Sequence, residues 1–390
     1  MKLRILIVGA AGCLALYASI GACRAAERLE ALKSAIDAAV KPVMAKNEIP
    51  GLAVGITAGG RHLVFDYGVA SLEPRKPVTD ATLFEIGSIS KTFTATLAAW
   101  AQVGGQLALA DETEKYLPAL QGTPFGKVTL LDLGTHTPGG MPLQVPGTIT
   151  NDDQLMAFFQ AWQPTCPRGT CRTYANPSIG LLGRIAAQSL HQDFTALMET
   201  RLFPDLGLSD TYIEVPAAKL ANYAQGYTSK GEPIRMQPAV LSAEAYGVKT
   251  SAGDLLHYLD ANMGLLALRD DLQRAVTETH TGYFKAGVLT QDLIWEQYAY
   301  PVALKTLVAG NSPHMLDPVP AVPISPPLPP QADVLINKTG STTGFGAYVA
   351  FVPARREGVV ILANMRYPNE DRVTLAYRIL SLLGPGDAYH

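Results

Sequence analysis

Ser88-Ile89-Ser90-Lys91 is the only place in the 390-residue chain where a serine stands three residues before a lysine. On a helix, positions i and i+3 share a face one turn apart, so the hydroxyl and the amine are neighbours. An uncharged lysine so placed can take the serine proton as the oxygen attacks an acyl carbon, which makes Ser88 the candidate nucleophile. Such a nucleophile also needs a base, donors for the oxyanion and groups that position the substrate. Three further clusters carry suitable residue types: Tyr174-Ala175-Asn176, Lys338-Thr339-Gly340-Ser341-Thr342, and the loop ending in Gln144. If the lysine-threonine-glycine segment is a strand, Lys338 and Gly340 share one face and Thr339 and Ser341 the other. Each cluster is weak alone, since Tyr367-Pro368-Asn369 repeats the Y-x-N pattern, but their order and wide spacing together are distinctive.

Other chemistry is poorly supported. The seven histidines include no pair at H-x-H or H-x-x-x-H spacing, so neither a metal nor a cofactor is expected. Cys166 and Cys171 are candidates for a disulfide if the chain works in an oxidising compartment; half of a zinc site is the weaker alternative. Glu85 and Glu244 read as structural hydrogen-bond partners rather than bases, and Met141 and Trp100 as core.

The elements that must hold these residues follow from periodicity. Residues 28–48 have apolar positions at helical spacing (Leu29, Leu32, Ile36, Val40, Val43), which predicts an opening helix. Leu52–Thr57 and His62–Tyr67, joined by Ala58-Gly59-Gly60-Arg61, predict a hairpin. After Ser88, the stripe Ile89, Phe93, Leu97, Ala101 predicts a helix buried along one side and ended by Gly104-Gly105. The middle of the chain reads as mostly helical. The proline-dense stretch Leu316–Pro330 reads as an extended surface segment that leads into three strands, Val334–Asn337, Gly346–Val352 and Gly358–Ala363, and a closing helix, Asp371–Leu383. Strands at both ends around a helical middle imply an α/β (α+β) fold with one antiparallel sheet built from both termini. The expected division is a sheet domain from residues 26–105 and 236–390 and a mostly helical domain at 106–235.

Composition narrows the partners. A content of 48% hydrophobic and 17% charged residues predicts a folded core, and a net charge of -3 argues against nucleic acid or an acidic membrane surface as partner. A small-molecule substrate and a monomer are expected. Met1-Lys2-Leu3-Arg4 followed by an uncharged stretch to Cys23 reads as a signal peptide over residues 1–25 and hence export to the periplasm. An uncleaved anchor and lipidation at Cys23 remain alternatives.

Three segments together resemble a known family. Phe84-Glu85-Ile86-Gly87-Ser88-Ile89-Ser90-Lys91-Thr92, Tyr174-Ala175-Asn176 and Lys338-Thr339-Gly340-Ser341-Thr342-Thr343-Gly344-Phe345-Gly346 closely resemble the three motifs of the class C (AmpC-type) serine β-lactamases. Pro142–Pro146, Ala243–Lys249, Leu362–Asn364 and Tyr367–Asn369 are similar as well. The resemblance implies a β-lactamase/transpeptidase-like fold and hydrolysis of a β-lactam amide, in cephalosporins and penicillins, through an acyl-enzyme on Ser88. It further implies proton transfer by Lys91 and Tyr174, an oxyanion hole from the N–H groups of Ser88 and Ser341, and positive potential from Lys338. Gln144, Asn176 and Tyr246 would meet the substrate's acyl side chain, and Thr339, Asn369 and Arg372 its carboxylate. Two positions depart from the family pattern: Asn337 where a histidine commonly precedes the lysine-threonine-glycine motif, and Arg366 where asparagine is frequent. Both are expected beside the carboxylate site. The cysteine pair before Tyr174 is a further departure from the family, and a Cys166–Cys171 bridge is expected to stiffen the loop that carries Tyr174. The alternatives are a penicillin-recognising D,D-peptidase, a serine carboxylesterase of the same fold, or a non-catalytic cell-wall binding protein.

Overall fold

The computed structural model describes residues 10–383, with side chains from residue 27 onward. The expected leader, residues 1–25 with Cys13 and Cys23, lies outside those described side chains. Among the described residues no helix is long and apolar enough to cross a membrane.

One eleven-stranded antiparallel sheet organises the molecule. Its strands, in chain order, are β1 (Gly51–Ala58), β2 (Arg61–Ser71), β3 (Lys76–Pro77), β4 (Cys171–Arg172), β5 (Gly282–Ala286), β6 (Leu289–Gln291), β7 (Glu296–Ala299), β8 (Val319–Leu328), β9 (Val334–Ser341), β10 (Gly346–Val352) and β11 (Glu357–Ala363). Across the sheet the order is β3-β2-β1-β11-β10-β9-β7-β6-β5-β8-β4. The two chain ends meet near one side of its middle, where Leu52 pairs with Ala363 and Ala58 with Glu357. β1, β10 and β11 are buried almost throughout, as Val/Ile/Leu-rich strands covered on both faces must be.

The proline-rich stretch is the clearest departure from expectation. It is a ladder strand, β8, pairing with β5 through Lys285↔Val322 and Phe284↔Pro323, and with β4 only at Val319 and Pro320. Proline lacks the N–H that a fully paired strand must donate, so such a sequence is tolerated only where one side is largely unpaired.

Each face of the sheet is covered by helices. On one, α1 (Ala10–Lys46) and the closing helix α7 (Asn369–Leu382) enclose a core with Leu32, Ile36, Val40, Val54, Ile361, Leu375 and Ile379. Leu29, expected in the buried stripe of α1, is exposed. On the other lie α2 (Ser90–Val103), α3 (Asn176–Ser189), α4 (Ser242–Tyr246), α5 (Ala252–Asn262) and α6 (Asp270–Glu278). Phe93, Leu97, Leu182, Leu259, Phe351 and Val360 belong to this second core. Burying a side chain such as Phe93 or Leu97 contributes about 1.5–3 kcal/mol.

α2 is buried all round from Ser90 to Ala101, not along one side as its stripe implied. Its threonines make this possible by satisfying their own hydroxyls: Thr92 donates to Ile89 O (2.8 Å), Thr94 to Glu244 O (2.6 Å) and Thr96 to Thr92 O (3.0 Å). The serine's helix is thus a fixed strut at the centre of the molecule.

Candidate active site

Ser88 sits in a 3₁₀ turn, Gly87–Ile89, that runs directly into α2. Ser88 keeps part of its surface, whereas Lys91 beneath it is fully buried. Lys91 Nζ donates to Ser88 Oγ at 2.9 Å and to Ala245 O at 2.8 Å, so the expected hydroxyl–amine pair is formed and the amine is anchored on α4. Burial, with repulsion from Lys338, draws Lys91 down to about 8 against the pull of Tyr174, and part of the population is then neutral near physiological pH.

Tyr174 arrives from the opposite side, between β4 and the start of α3. Its ring is flanked by three cations: Lys338 Nζ at 5.0 Å from the ring centroid, Lys91 Nζ at 5.2 Å and Arg172 Cζ at 5.6 Å. The phenol oxygen is buried and makes no hydrogen bond of regular geometry. Burial pushes the phenol up, but Lys338 first, then Lys91 and the nearby Ser88 hydroxyl outweigh it and bring the phenol down to about 8. Lys91 and Tyr174 are therefore a coupled pair, able to give up a proton and share the other near pH 8.

The cations are themselves held in place. Lys338, on β9, has Nζ 3.9 Å from Glu296 Oε1, and the same oxygen accepts from Arg172 Nη2 at 2.7 Å. Arg172 also donates to Gln291 Oε1 (2.6 Å) and Met315 O (2.8 Å). Glu296 and Arg172 were not foreseen; the only signal was a charged residue two positions before Tyr174.

The placement of the expected oxyanion donors depends on two glycines. Gly87 has φ 50, a left-handed conformation, and a Cβ there would overlap the Ser341 backbone. A Cβ on Gly340 would overlap Ile86 O. The turn bearing Ser88 and the end of β9 therefore touch backbone to backbone, bringing Ser341 beside the nucleophile's turn.

A cavity of about 320 Å³ is lined by Gln144, Asn176 and Tyr246 with Val145, Ile149 and Leu241. Gln144 is exposed, Tyr246 half-buried, and Asn176 buried with its Oδ1 unpartnered. These three expected substrate contacts thus converge.

The expected carboxylate contacts divide. Thr339 is half-buried on β9, one residue past Lys338. Asn369 donates through Nδ2 to Asn311 O at 3.1 Å. Arg372 is fully buried, donating through Nη1 to Gly340 O and Ser341 Oγ, both at 2.8 Å, and through Nη2 to Tyr367 O. Its guanidinium braces the end of β9 rather than presenting itself to solvent. Asn337, expected beside the carboxylate site, is instead buried and donates to Glu296 O at 2.9 Å. Alternation along β9 turns it to the face opposite Lys338. Arg366 is exposed.

Cys166 and Cys171 are bridged, with Cα atoms 6.4 Å apart. Glu85 is a structural partner, as expected: its Oε1 accepts from Tyr223 Oη (2.5 Å) and Met236 N (2.9 Å). Among the described residues no group of three or more histidine, cysteine, aspartate or glutamate side chains is arranged to hold a metal.

The β-lactamase family profile matches residues 36–384. A β-lactamase of Lysobacter lactamgenus is 50% identical over 374 residues, covering 95% of this chain and 97% of that protein. A solved β-lactamase/D-alanine carboxypeptidase from Pseudomonas syringae superposes with a TM-score of 0.90 at 52% identity, covering 91% of this chain and all (100%) of the other. A class C β-lactamase solved in complex with cefoxitin gives a TM-score of 0.88 at 50% identity, with 90% of this chain and 99% of that one covered.

Proposed function

The chain belongs to the β-lactamase family, in its class C branch, and from that premise we propose how its residues carry out serine β-lactamase chemistry. The observation that carries the reading is the 2.9 Å Lys91–Ser88 hydrogen bond beside a phenol flanked by Lys91 and Lys338.

In acylation, Ser88 Oγ attacks the lactam carbonyl carbon, and its proton passes to the Lys91/Tyr174 pair. The carbonyl oxygen becomes an anion facing the N–H groups of Ser88 and Ser341. As the C–N bond breaks, the pair returns that proton to the ring nitrogen, leaving an ester on Ser88. In deacylation the pair, with Tyr174 ionised, takes a proton from water; the hydroxide attacks the ester carbon and the proton goes back to Ser88 Oγ. Lys338 and Lys91 keep the phenol acidic enough to serve. Gln144, Asn176 and Tyr246 receive the acyl side chain, while Thr339 and Asn369 meet the substrate carboxylate, with Arg372 supporting them through β9.

A positive phenol environment, with no glutamate needed to activate water, supports release of the acyl group as well as its formation. The peptidase reading draws on the Pseudomonas syringae relative, whose two names include D-alanine carboxypeptidase. Steady-state hydrolysis of a chromogenic cephalosporin decides between them. Sustained turnover by the wild type, abolished in Ser88→Ala and reduced by about 10²–10⁴ in Tyr174→Phe, is expected; a burst that stops would favour the peptidase, and D-alanine release from a D-Ala-D-Ala peptide would confirm it. We further propose that the chain is exported, a reading supported by the basic and apolar start at Met1–Cys23, and that it acts as a monomer.

A further inference from the structure

Tyr174 has a neighbour that the reaction scheme leaves without a role. His136 follows the short helix Leu130–Thr135 in a left-handed conformation, φ 61, and is fully buried. Its carbonyl oxygen accepts the Thr173 N–H at 2.8 Å, and its ring Nδ1 accepts the Ala175 N–H at 3.3 Å. The His136 ring lies against the Tyr174 ring, centroids 4.4 Å apart and planes inclined by 39°. One residue thus grips the backbone on both sides of the phenol and packs on the phenol's own face.

We propose that His136 is a positioning residue for catalysis, fixing the Tyr174 phenol between Lys91 and Lys338 by clamping Thr173 and Ala175. The proposal rests on the role given to Tyr174 above.

An imidazole performs this task only when neutral, because Nδ1 must keep a lone pair for the Ala175 donor. Burial first, then the cations Arg172, Lys91 and Lys338, hold His136 well below the usual histidine range, so it stays neutral wherever the enzyme works. The acceptor Nδ1 places the ring proton on Nε2, a buried atom with no hydrogen-bond partner. A neutral ring also adds no fourth positive charge beside Lys91, Lys338 and Arg172. Asparagine, like histidine, accepts this left-handed backbone and offers a short acceptor, whereas phenylalanine brings backbone strain as well as the lost acceptor, so the shift of the pH limb, rather than the size of the kcat loss, identifies the clamp.

Two substitutions separate the acceptor from the ring. His136→Phe keeps an aromatic face and loses the acceptor for Ala175; His136→Asn loses the face and keeps an acceptor, Oδ1, near the place of Nδ1. With a chromogenic cephalosporin, His136→Phe is expected to lower kcat about 10- to 100-fold, as displacement of a catalytic group by an ångström does. The acid limb of its kcat–pH profile should move to higher pH, since a phenol shifted from its cations ionises less readily; KM should change little. His136→Asn should recover most of that loss. The position of the limb does not depend on how much of a preparation is folded, so a merely destabilising substitution leaves it in place. His136→Phe with the wild-type limb, or His136→Asn falling as far as His136→Phe, overturns the proposal. Tyr174→Phe, run alongside, keeps the two readings apart: full turnover in that variant would refute the role of Tyr174, whereas an impaired Tyr174→Phe beside an unaffected His136→Phe refutes the clamp alone.

Discussion

Gly340 Cα lies so close to the Ile86 carbonyl oxygen that a methyl group on it would occupy the same space. β9 and the nucleophile's turn meet only because neither Gly87 nor Gly340 has a side chain. Gly340→Ala must therefore push the end of β9 away, and with it the Ser341 N–H. An oxyanion donor out of place costs about 10²–10³ in kcat, so that loss is expected with the fold retained. Steady-state kinetics together with the thermal transition of the variant checks it; unchanged kcat would mean that Ser341 N–H is not a donor.

Lys338 is the largest of the influences that lower the Tyr174 phenol to about 8 against its burial. Replacing it with methionine leaves burial less opposed, so the phenol moves up. Turnover that needs the phenolate rises with pH through that value, and the acid limb of Lys338→Met must therefore shift to higher pH. At pH 7 the ionised fraction falls about tenfold for every pH unit by which the limb rises. A kcat–pH profile from pH 5 to about 10 measures it, and a limb that moved downward would reverse the assignment.

Local pattern was enough for the parts of the fold that obey it. The β1–β2 hairpin, α2 after Ser88, and strands β9 to β11 appear where alternation and helical spacing placed them, because each buries its own apolar positions. The Leu316–Pro330 stretch was illegible as a strand because its prolines delete the ladder donors that mark one, and β5 pairs with it regardless. In the site, motif residues Ser88, Lys91, Tyr174 and Lys338 were visible by type and order. His136 and Glu296 were not, since their roles arise from contacts 38 and more residues away in sequence, His136 with Tyr174 and Glu296 with Arg172. Arg372 departs from what the resemblance implied: it was expected at the substrate carboxylate, and its buried guanidinium is bonded to Gly340 O and Ser341 Oγ.

His280 sits in the core, Nε2 2.9 Å from Asn262 Oδ1 and its ring against Trp295 and Phe351. Burial lowers it from 6.5 to about 3. The unfolded chain binds this proton below about pH 6.5 and the native state does not. Stability is therefore unaffected above that pH and falls on acidification between the two values. One such group changes the slope of unfolding free energy by up to about 1.4 kcal/mol per pH unit. His280→Gln should flatten that slope between about pH 6 and 4 in denaturant titrations, whatever its effect on stability at neutral pH; an unaltered slope would show that His280 is protonated in the native state.

The Cys166–Cys171 bridge joins residues that are tied to the loop ending in Gln144 and to the segment bearing Tyr174. Gly139 O accepts from Thr165 N (2.8 Å) and Cys166 N (3.3 Å), Thr137 O accepts from Gly169 N (3.0 Å), and Leu143 O from Asn176 N (2.9 Å). The bridged loop thus lies between the segment ending in Gln144 and the one bearing Tyr174. Closing a loop this short contributes about 2 kcal/mol in the chain-entropy model. Cys166→Ser/Cys171→Ser should lower the unfolding free energy by about that amount and reduce kcat severalfold through the loosened Tyr174 segment, while the wild type under reducing conditions follows the variant. Equal stability and turnover in the variant and the oxidised wild type would show that the backbone hydrogen bonds hold the two loops without the bridge.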